Sequence, residues 1–354
     1  MTEHQRTGPK MGPVLVIGCG LIGTSVALGL SAKGVRVHLR DQNPANVTLA
    51  ESLGAGVSDP VAEPDLVVVA TPPSVVVSAV QFALSEFEEA TVTDVASVKR
   101  SIVEAIADPR FVGGHPMAGK ERSGPIAATA QLFEGRAWAI VPTENSATKS
   151  IAMVEQLASD LGAVPRIMTA EAHDRAVALV SHVPHLVSVL TAGLLADADT
   201  ADLALAGQGL RDVIRIAGSD RGLWVDIIGS NAEQVGQVLD LLADRLDELR
   251  SSVHSADGSI AEYLDLGRAG VAKVPGKHGE QPTALAGVFV SIDDTPGELS
   301  RLFSDIGLAE INIEDMRIDH ELGRMVGVVE VIVKAAVAPT LLTYLIDRGW
   351  SAFS

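Results

Sequence analysis

Residues 14–23 read Val-Leu-Val-Ile-Gly-Cys-Gly-Leu-Ile-Gly, an apolar run followed by the spacing Gly-x-Gly-x-x-Gly. The run predicts a buried β-strand, and the stretch Thr24 to Lys33 behind it has a helical pattern. In this setting Gly18 permits a tight turn, Gly20 lets the backbone approach a pyrophosphate, and Gly23 allows close packing of helix on strand. We therefore predict a dinucleotide site that includes Gly18, Gly20, Leu21, Ile22 and Gly23.

An acidic residue after the second apolar run, Val35 to Leu39, bears on the choice of dinucleotide. Asp41 lies 18 residues beyond Gly23, where a carboxylate accepts hydrogen bonds from the adenosine ribose and repels a 2′-phosphate. It favours NAD over NADP. Its neighbour Arg40 leaves NADP open, because a guanidinium can bind that phosphate. Thr71 and Pro72 follow a later apolar run past which the cofactor is expected to lie, although a buried strand and turn explain them equally well.

Composition and charge limit the classes of function. The chain has 354 residues, and no run reaches the roughly 20 uninterrupted apolar residues that span a bilayer. Its 27 basic and 45 acidic residues give a formal net charge of -18, which repels phosphate backbones and argues against nucleic acid as a partner. A polar start without an apolar signal segment, and a single cysteine at Cys19, favour a cytoplasmic protein.

The first half of the chain predicts a Rossmann-type doubly wound α/β sheet. After an expected flexible tail at 1–12, short apolar runs alternate with helical stretches over residues 13–168, as in parallel strands joined by helices. The later expected strands include Phe111 to Gly113 and Ala137 to Val141. The pair Gly113-Gly114 is interpreted as a turn between elements.

The second half predicts two further units. Residues 169–256 change to long helical stretches, in which Ser230-Asn231-Ala232-Glu233 has the form of a capping box. The apolar stripe that follows is typical of either a bundle core or a dimer seam. Residues 257–283, punctuated by Gly and Pro, predict a linker. Residues 284–354 predict a small α+β domain.

Polar side chains occupy three places where a plain fold does not need them. Ser97 follows one predicted strand and His115 lies at the end of another, and ligands in doubly wound sheets bind beyond the carboxyl ends of strands. The third place is Ser181-His182-Val183-Pro184-His185, followed by Arg211-Asp212-Val213-Ile214-Arg215. We expect the first two to converge on one crevice.

Structural explanations for the same residues stay open. Ser97 suits a helix N-cap, and His115 suits a turn beside glycines and proline. His182 and His185, three residues apart, share a helix face and suit a helix core. No cysteine or nearby carboxylate completes a tetrahedral set with these two histidines, so no metal site is predicted.

Five motifs follow one another along the chain: the glycine turn, Asp-Val-Ala-Ser-Val-Lys at 94–99, His-Pro-Met-Ala-Gly at 115–119, Ser-His-x-Pro-His at 181–185 and Arg-Asp-x-x-Arg at 211–215. Together, and in this order, they resemble the prephenate/arogenate dehydrogenase family of tyrosine biosynthesis. The resemblance covers about Val14 to Val253. It implies NAD(P)-dependent oxidative decarboxylation of prephenate or arogenate: a hydride passes to nicotinamide, the ring hydroxyl loses its proton, and carbon dioxide leaves as the ring becomes aromatic. A homodimer with a helical substrate and dimerisation domain is also implied.

The resemblance assigns roles to single residues. His115 matches the histidine that accepts a hydrogen bond from the ring hydroxyl, for which an imidazole is suited because its pKa lies near working pH. Ser97 matches a serine that bonds this histidine and the substrate or nicotinamide. Arg215 matches an arginine that receives a substrate carboxylate. The remaining substrate-side positions are Ser181, His182, His185, Arg211 and Glu121, with plain surface solvation an open alternative for Arg211.

The last unit carries a second resemblance. Asp-Thr-Pro-Gly-Glu-Leu at 294–299 and Ile-Asn-Ile-Glu-Asp-Met-Arg-Ile at 311–318 resemble the ACT module of amino-acid biosynthetic enzymes. That module implies a βαββαβ fold and an amino-acid effector near the turn at 294–297, where free backbone N–H groups can meet a carboxylate. Tyrosine is the expected effector, and a role in dimerisation alone is equally open.

Two competing hypotheses accompany this interpretation. A β-hydroxyacid dehydrogenase shares the glycine turn and a helical second domain, but relies on a lysine base where this chain presents Ser97, His115 and Arg215. A non-catalytic regulator that senses a dinucleotide would not need those groups.

Overall fold

The computed structural model describes residues 11–120, 122, 124–255, 258–274, 284–293, 295–320 and 326–354. The chain forms two compact units that divide between Leu246 and Asp247, inside one long helix. The first unit holds a seven-stranded sheet and the second a four-stranded sheet. In this division residues 169–246 of the predicted helical domain belong to the same compact unit as the large sheet, and residues 247–256 belong to the second unit.

The large sheet has the Rossmann-type arrangement that the sequence predicts. Its strands are β1 Val14–Ile17, β2 Val37–Arg40, β3 Leu66–Val69, β4 Thr91–Asp94, β5 Phe111–Pro116, β6 Ala137–Pro142 and β7 Val164–Ile167. The helices among them are α1 Leu21–Ala32, α2 Pro44–Ser52, α3 Pro73–Glu86, α4 Arg100–Glu104 and α5 Thr148–Asp160. The strand order is β2-β1-β3-β4-β5-β6-β7, so β2 and β3 flank β1 and the chain reverses its direction of winding beside the glycine turn.

Both faces of this sheet are buried, which explains why its strands are continuous apolar runs. Val14 and Val16 of β1 face one core, while Leu15 between them faces the other. Residues 1–10 of the expected tail lie outside the described part of the chain. Met11, predicted to belong to that tail, is instead buried in the first core, and the Gly12 N–H donates to Asp65 over 2.9 Å. The packing of the first core therefore includes residues that precede β1.

Two predictions about the second half of the sheet are wrong. β6 runs antiparallel to β5, because the described part of their connection holds a 3₁₀ turn, Pro125–Ala127, in place of a crossover helix. The glycines 113–114 lie inside β5 and do not form a turn. A Cβ atom on Gly114 would lie 2.6 Å from the carbonyl oxygen of Asp94, so a glycine is needed where β5 passes the end of β4.

A continuous helical run follows the sheet. α6 Ala170–Val177 continues through a π-helical turn, Ala178–His182, into α7 Val183–Gly193. By length and composition the run from 170 to 193 could cross a membrane: an 18-residue window within it has a mean hydropathy of 1.5, and 33% of that window is buried. A core helix of a soluble protein can have the same length and apolar composition. The expectation from the sequence that no segment spans a bilayer stays a prediction.

The remaining helices of this segment are α8 Thr200–Leu203, α9 Gln208–Ile214, a 3₁₀ turn at Arg215–Gly218, α10 Arg221–Ser230 and α11 Ala232–Ser255. The predicted capping box does not form, because α10 continues up to Ser230 and α11 begins only two residues later. Asn231 between them is buried and its side chain makes long-range contacts, while Glu233 pairs with Arg100 over 3.1 Å.

The second unit shows the βαββαβ order predicted for the end of the chain. Its elements are β8 Leu285–Asp293, α13 Glu298–Leu308, β9 Asp315–His320, β10 Val326–Lys334, α14 Ala338–Asp347 and β11 Ser351–Phe353. The sheet is antiparallel, in the order β11-β8-β10-β9. The predicted linker is wrong in its first half, since α12 occupies Ile260–Val271; residues 275–283 lie outside the described chain.

Candidate active site

The glycine turn has the geometry that its spacing predicts. Gly18 has φ +102°, and a Cβ atom there would lie 2.4 Å from the carbonyl oxygen of Ala70 at the end of β3. A Cβ on Gly23 would lie 1.9 Å from the carbonyl oxygen of Gly18, so helix and turn pack too closely for any other residue. A Cβ on Gly20 would meet nothing within 4 Å. The space beside Gly20 is thus open where a pyrophosphate is expected.

The first turn of α1 fits a phosphate group. The helix begins at Leu21, continues through Ile22, and has neither a side-chain cap at Gly20 nor an acidic residue in its first turn. Its first N–H groups have no partner within the helix, and they carry the positive end of the helix dipole. Thr71 and Pro72 lie in the neighbouring β3–α3 turn, with the backbone nitrogen of Thr71 3.2 Å from the position of a Cβ on Gly18.

Asp41 is fixed beside this turn and Arg40 is directed elsewhere. The backbone N–H groups of Cys19 and Asn43 donate to the two oxygens of Asp41 over 2.6 and 2.7 Å. Arg40 donates to both carboxylate oxygens of Glu86 over 2.5 and 3.0 Å. The carboxylate of Asp41 is therefore oriented by the glycine turn itself, whereas the guanidinium that left NADP open already holds a carboxylate.

A buried ion pair supports the loop that carries Ser97. Lys99 donates to Asp94 at the end of β4, and both side chains are fully buried. Asp94 also accepts from the backbone N–H of Ala96 over 2.9 Å. Ser97 stands half-buried on this loop, and it does not cap α4, because the N-cap position belongs to Lys99. The N-cap explanation of Ser97 is therefore wrong.

His115 lies in β5 at the carboxyl edge of the sheet and begins a chain of polar contacts. Its Nδ1 is 2.8 Å from Nε2 of His173 on α6, and Nδ1 of His173 is 2.7 Å from Oδ1 of Asp174. Asp174 also accepts the backbone N–H groups of Lys99 and Arg100, each over 2.9 Å. All three residues are buried, with exposed fractions of 9% for His115, 1% for His173 and 2% for Asp174. The sheet and α6 are thus joined directly behind His115.

A second histidine cluster lies along the π turn and α7. His182 ends the π turn, and its Nδ1 is 3.1 Å from Nδ2 of Asn231, which also donates to the backbone oxygen of Asp174 over 2.9 Å. His185 stacks on Trp224, with ring centroids 3.5 Å apart and planes 4° apart. The His182 ring meets the same tryptophan edge-on at 6.2 Å. The two histidines share a face, as predicted, and Trp224 packs against it.

The other predicted substrate residues are placed less tightly. Ser181 is half-buried in the π turn next to His182. Arg211 lies in the last turn of α9 and Arg215 begins the 3₁₀ turn behind it, both exposed, on elements that pack against α7. Glu121 lies outside the described residues.

Burial disfavours the charged form of three histidines of the site, His115, His182 and His185. Desolvation, followed by the charges of His173, Lys99 and His182, holds the pKa of His115 well below its ordinary value of 6.5. Desolvation likewise lowers the pKa of His182 to about 4. Burial also lowers the pKa of His185. Neutral imidazoles each offer one acceptor and one donor nitrogen at pH 7, which suits proton transfer and hydrogen bonding to a substrate.

Sequence reasoning missed four residues of this arrangement: Lys99, His173, Asp174 and Asn231. The adjacent pair His-Asp at 173–174, at the start of a largely apolar helix, was a usable signal. Asn231 gave none, since it resembled part of a helix cap. Within the described part of the chain, no group of three or more His, Cys, Asp or Glu residues could hold a metal ion.

Comparison with known proteins supplies the family. The model of the prephenate dehydrogenase nucleotide-binding domain matches residues 26–167, and that of the prephenate dehydrogenase dimerization domain matches residues 169–265. A probable prephenate dehydrogenase, NovF, from Streptomyces niveus is 36% identical over 97% of this chain and 100% of its own length. The chain belongs to the prephenate dehydrogenase family. It is accordingly an oxidoreductase, and that prediction from the sequence motifs is confirmed.

Other members of the prephenate dehydrogenase family agree in sequence and fold. A cyclohexadienyl dehydrogenase from Zymomonas mobilis is 32% identical over 71% of this chain and 90% of its own. The crystal structure of the prephenate dehydrogenase from A. aeolicus, in complex with hydroxyphenyl propionate and NAD+, has a TM-score of 0.68 and 31% identity. The match covers 74% of this chain and 97% of the A. aeolicus chain. The matched family models end at residue 265, before the βαββαβ unit.

The glycine turn yields a matched pair of variants. Gly20→Ala should fold normally, because its Cβ meets nothing within 4 Å, but should weaken NAD binding at least about tenfold by filling the phosphate space. Gly23→Ala should lower the free energy of unfolding by about 1–3 kcal/mol, because its Cβ would overlap the Gly18 carbonyl oxygen. Thermal denaturation and NAD titration measure the two effects. Wild-type NAD affinity in Gly20→Ala would contradict the placement of the cofactor.

Proposed function

We propose that this chain acts as a homodimer that oxidises prephenate with NAD, releasing carbon dioxide and forming 4-hydroxyphenylpyruvate. The observation that carries the proposal is His115 at the carboxyl edge of the sheet, neutral and tied through His173 to Asp174. His115 lies in the part of the chain that matches the family's nucleotide-binding domain. That position suits a group that receives a proton while a hydride leaves the substrate.

In the proposed reaction His115 accepts the proton of the ring hydroxyl as that oxygen becomes a carbonyl. Bound NAD+ supplies the hydride acceptor. The electrons of the bond to the ring carboxylate enter the ring as carbon dioxide departs, and the resulting phenolate oxygen takes a proton back from His115. The sum is one hydride transferred and one carbon dioxide released, without net uptake or release of a proton.

Charged and polar residues of the helical segment complete the proposed substrate site. Arg215 binds a substrate carboxylate, for which a guanidinium offers two parallel hydrogen bonds. It provides positive charge in a protein whose formal net charge is -18. Ser97 orients the ring hydroxyl against His115. The remaining members of the proposed substrate site are Ser181, His182, His185, Arg211 and Glu121.

The preference for NAD over NADP follows from the neighbourhood of the turn. Two backbone N–H groups fix the carboxylate of Asp41, where it would repel a 2′-phosphate. Arg40 is held by Glu86 and by its approach to the ring of Phe87 at 6.0 Å. The cofactor site of the proposal consists of Gly18, Gly20, Leu21, Ile22, Gly23, Asp41, Thr71 and Pro72.

Apolar surface on the helical segment supports the homodimer. Leu190 and Leu194 along and after α7 are 65% and 81% exposed, and Leu246 on α11 is 62% exposed. Exposed leucines are costly in water, and apolar surface of this kind is typical of subunit interfaces. The segment matches the family's dimerization domain. A cytoplasmic location is part of the same proposal.

The C-terminal βαββαβ unit is proposed to be an ACT-like module that binds tyrosine. Its strand order and its two helices on one side of an antiparallel sheet support this assignment. Gly297, with φ +104°, ends the turn at which an effector is expected. Asp294 of the same turn lies outside the described residues.

Turnover with separate pairs of substrate and cofactor tests the proposed function. We expect reduction of NAD with prephenate, followed by absorbance of the reduced nicotinamide, and a kcat/KM at least about tenfold lower with NADP. Arogenate replaces the side-chain keto group by an amino group and serves as the alternative substrate. Absence of turnover with all four pairs would sink the proposal, and a preference for NADP would overturn the role of Asp41.

The role of His115 is tested by His115→Asn. Removal of the proton acceptor should lower kcat by about 10²–10⁴-fold while NAD affinity stays unchanged, because general base catalysis contributes about that factor. His254→Asn is the matched control, since His254 is exposed on α11. A kcat for His115→Asn near that of the control would reject His115 as the acceptor.

Tyrosine titration tests the proposed effector site. We expect tyrosine to inhibit the full chain and to leave a chain ended after Val274 uninhibited, since that chain keeps α12 and both matched family domains. Initial rates at fixed prephenate measure the effect, with size-exclusion chromatography as the control for the dimer. Equal inhibition of both chains would exclude the βαββαβ unit as the effector site.

A further inference from the structure

The carboxylate of Asp174 determines which nitrogen of His115 carries the proton and which carries the lone pair. Hydrogen bonds from His173, Arg100 and Lys99 outweigh the effect of burial and lower the pKa of Asp174, so it is ionised and can only accept. Nδ1 of His173, 2.7 Å away, therefore carries the proton that it donates. In the neutral form of that ring, which carries one proton, Nε2 is then an acceptor.

The same reasoning continues one ring further. Nε2 of His173 lies 2.8 Å from Nδ1 of His115, so Nδ1 of His115 must carry a proton and donate it. A neutral imidazole has one proton on its two ring nitrogens. The lone pair of His115 is consequently on Nε2, the nitrogen that is not engaged with His173.

Asn231 imposes the opposite arrangement on His182. The backbone oxygen of Asp174 can only accept, so the group of Asn231 that lies 2.9 Å from it is the amide nitrogen. That nitrogen is also 3.1 Å from Nδ1 of His182, to which it must donate. Nδ1 of His182 therefore holds the lone pair, and the proton of this neutral ring is on Nε2.

We propose that Asp174 and Asn231 are positioning residues that fix opposite tautomers in two histidines of the site, so that His115 presents an acceptor and His182 presents an N–H donor. The assignment rests on the proposed function in one respect, namely that the acceptor of His115 serves the ring hydroxyl. The donor of His182 suits an oxygen atom, such as that of a carboxylate or an amide. If His115 changed its tautomer, both rings would present an N–H donor, and if His182 changed its tautomer, both rings would present an acceptor.

The groups that surround these rings are consistent with both tautomers. His115 is faced by Lys99, His173 and His182, and His182 by Asp174, His173 and His185. Lys99 is held by Asp94, and the carboxylate of Asp174 is engaged by three donors. Among the described residues, the only carboxylate acceptor in direct contact with the histidine chain is Asp174.

Nitrogen NMR measures the tautomers without any turnover. In the full chain labelled with ¹⁵N-histidine, at pH 7.5 and without substrate, we expect the His115 proton on Nδ1 and the His182 proton on Nε2. The signals are assigned by their loss in His115→Asn and His182→Asn. A proton on Nε2 of His115, or on Nδ1 of His182, would overturn the proposal. A protein that shows the expected tautomers but does not oxidise prephenate would contradict only the proposed function.

Two variants separate the two branches. Asn231→Asp replaces the donor by an acceptor, so His182 should become protonated on Nδ1 while His115 keeps its tautomer. Asp174→Asn should leave His115 as a mixture of tautomers and lower kcat at least about 100-fold with KM within about threefold. Glu171→Gln, an exposed carboxylate on the same helix, is the matched control and should behave as wild type. An unchanged His182 tautomer in the first variant, or an unchanged kcat in the second, refutes the corresponding branch.

Discussion

The carboxylate of Asp174 is the point at which the sheet and the helical segment of the first unit are joined. It accepts two backbone N–H groups, of Lys99 and Arg100, from the start of α4, and it holds the ring of His173 on its own helix. Through His173 it reaches His115 in β5. The loop of Ser97, the strand of His115 and α6 therefore share one anchor, and movement of any of them disturbs the other two.

The buried pair of Lys99 and Asp94 makes this anchor rigid. A charge that loses its partner inside a protein costs about 3–5 kcal/mol, so neither side chain can leave without the other. Glycines at 113 and 114 make room for the pair, because a Cβ on Gly113 would lie 3.2 Å from Cδ of Lys99. The same burial argues against a lysine base of the β-hydroxyacid dehydrogenase kind at Lys99, since its ammonium is enclosed and bound.

The parts of the fold that were predicted from sequence depend on local patterns. The glycine turn and the buried strands beside it are such patterns, because each is specified within a few residues. The direction of β6 was missed because it depends on the length and content of a connection, and the glycines of β5 because their close neighbour belongs to another strand. α12 was missed because the glycines near it resembled a linker.

The sequence motifs predicted the candidate reacting groups of the proposed site but not the residues that contact and orient them. His115, His182 and His185 lie in motifs that can be recognised along the chain. Asn231 is 57 residues from Asp174 and 49 from His182 in sequence, so only the folded chain shows that it contacts both. A side chain that orients another side chain has no recognisable local sequence pattern. Any residue that can donate a hydrogen bond from that position could serve the same purpose.

The low pKa of His115 agrees with the proton balance of the proposed reaction. The proton taken from the ring hydroxyl is returned to the phenolate oxygen, so the base holds it only while the hydride and carbon dioxide leave. A histidine exposed to water would retain the proton more strongly and exchange it with solvent. Burial of His115 beside His173 and Lys99 disfavours the protonated ring, and return of the proton becomes the favourable step. Burial makes His115 a weaker base, and this agrees with a reaction in which His115 accepts the proton only transiently and then returns it to the product.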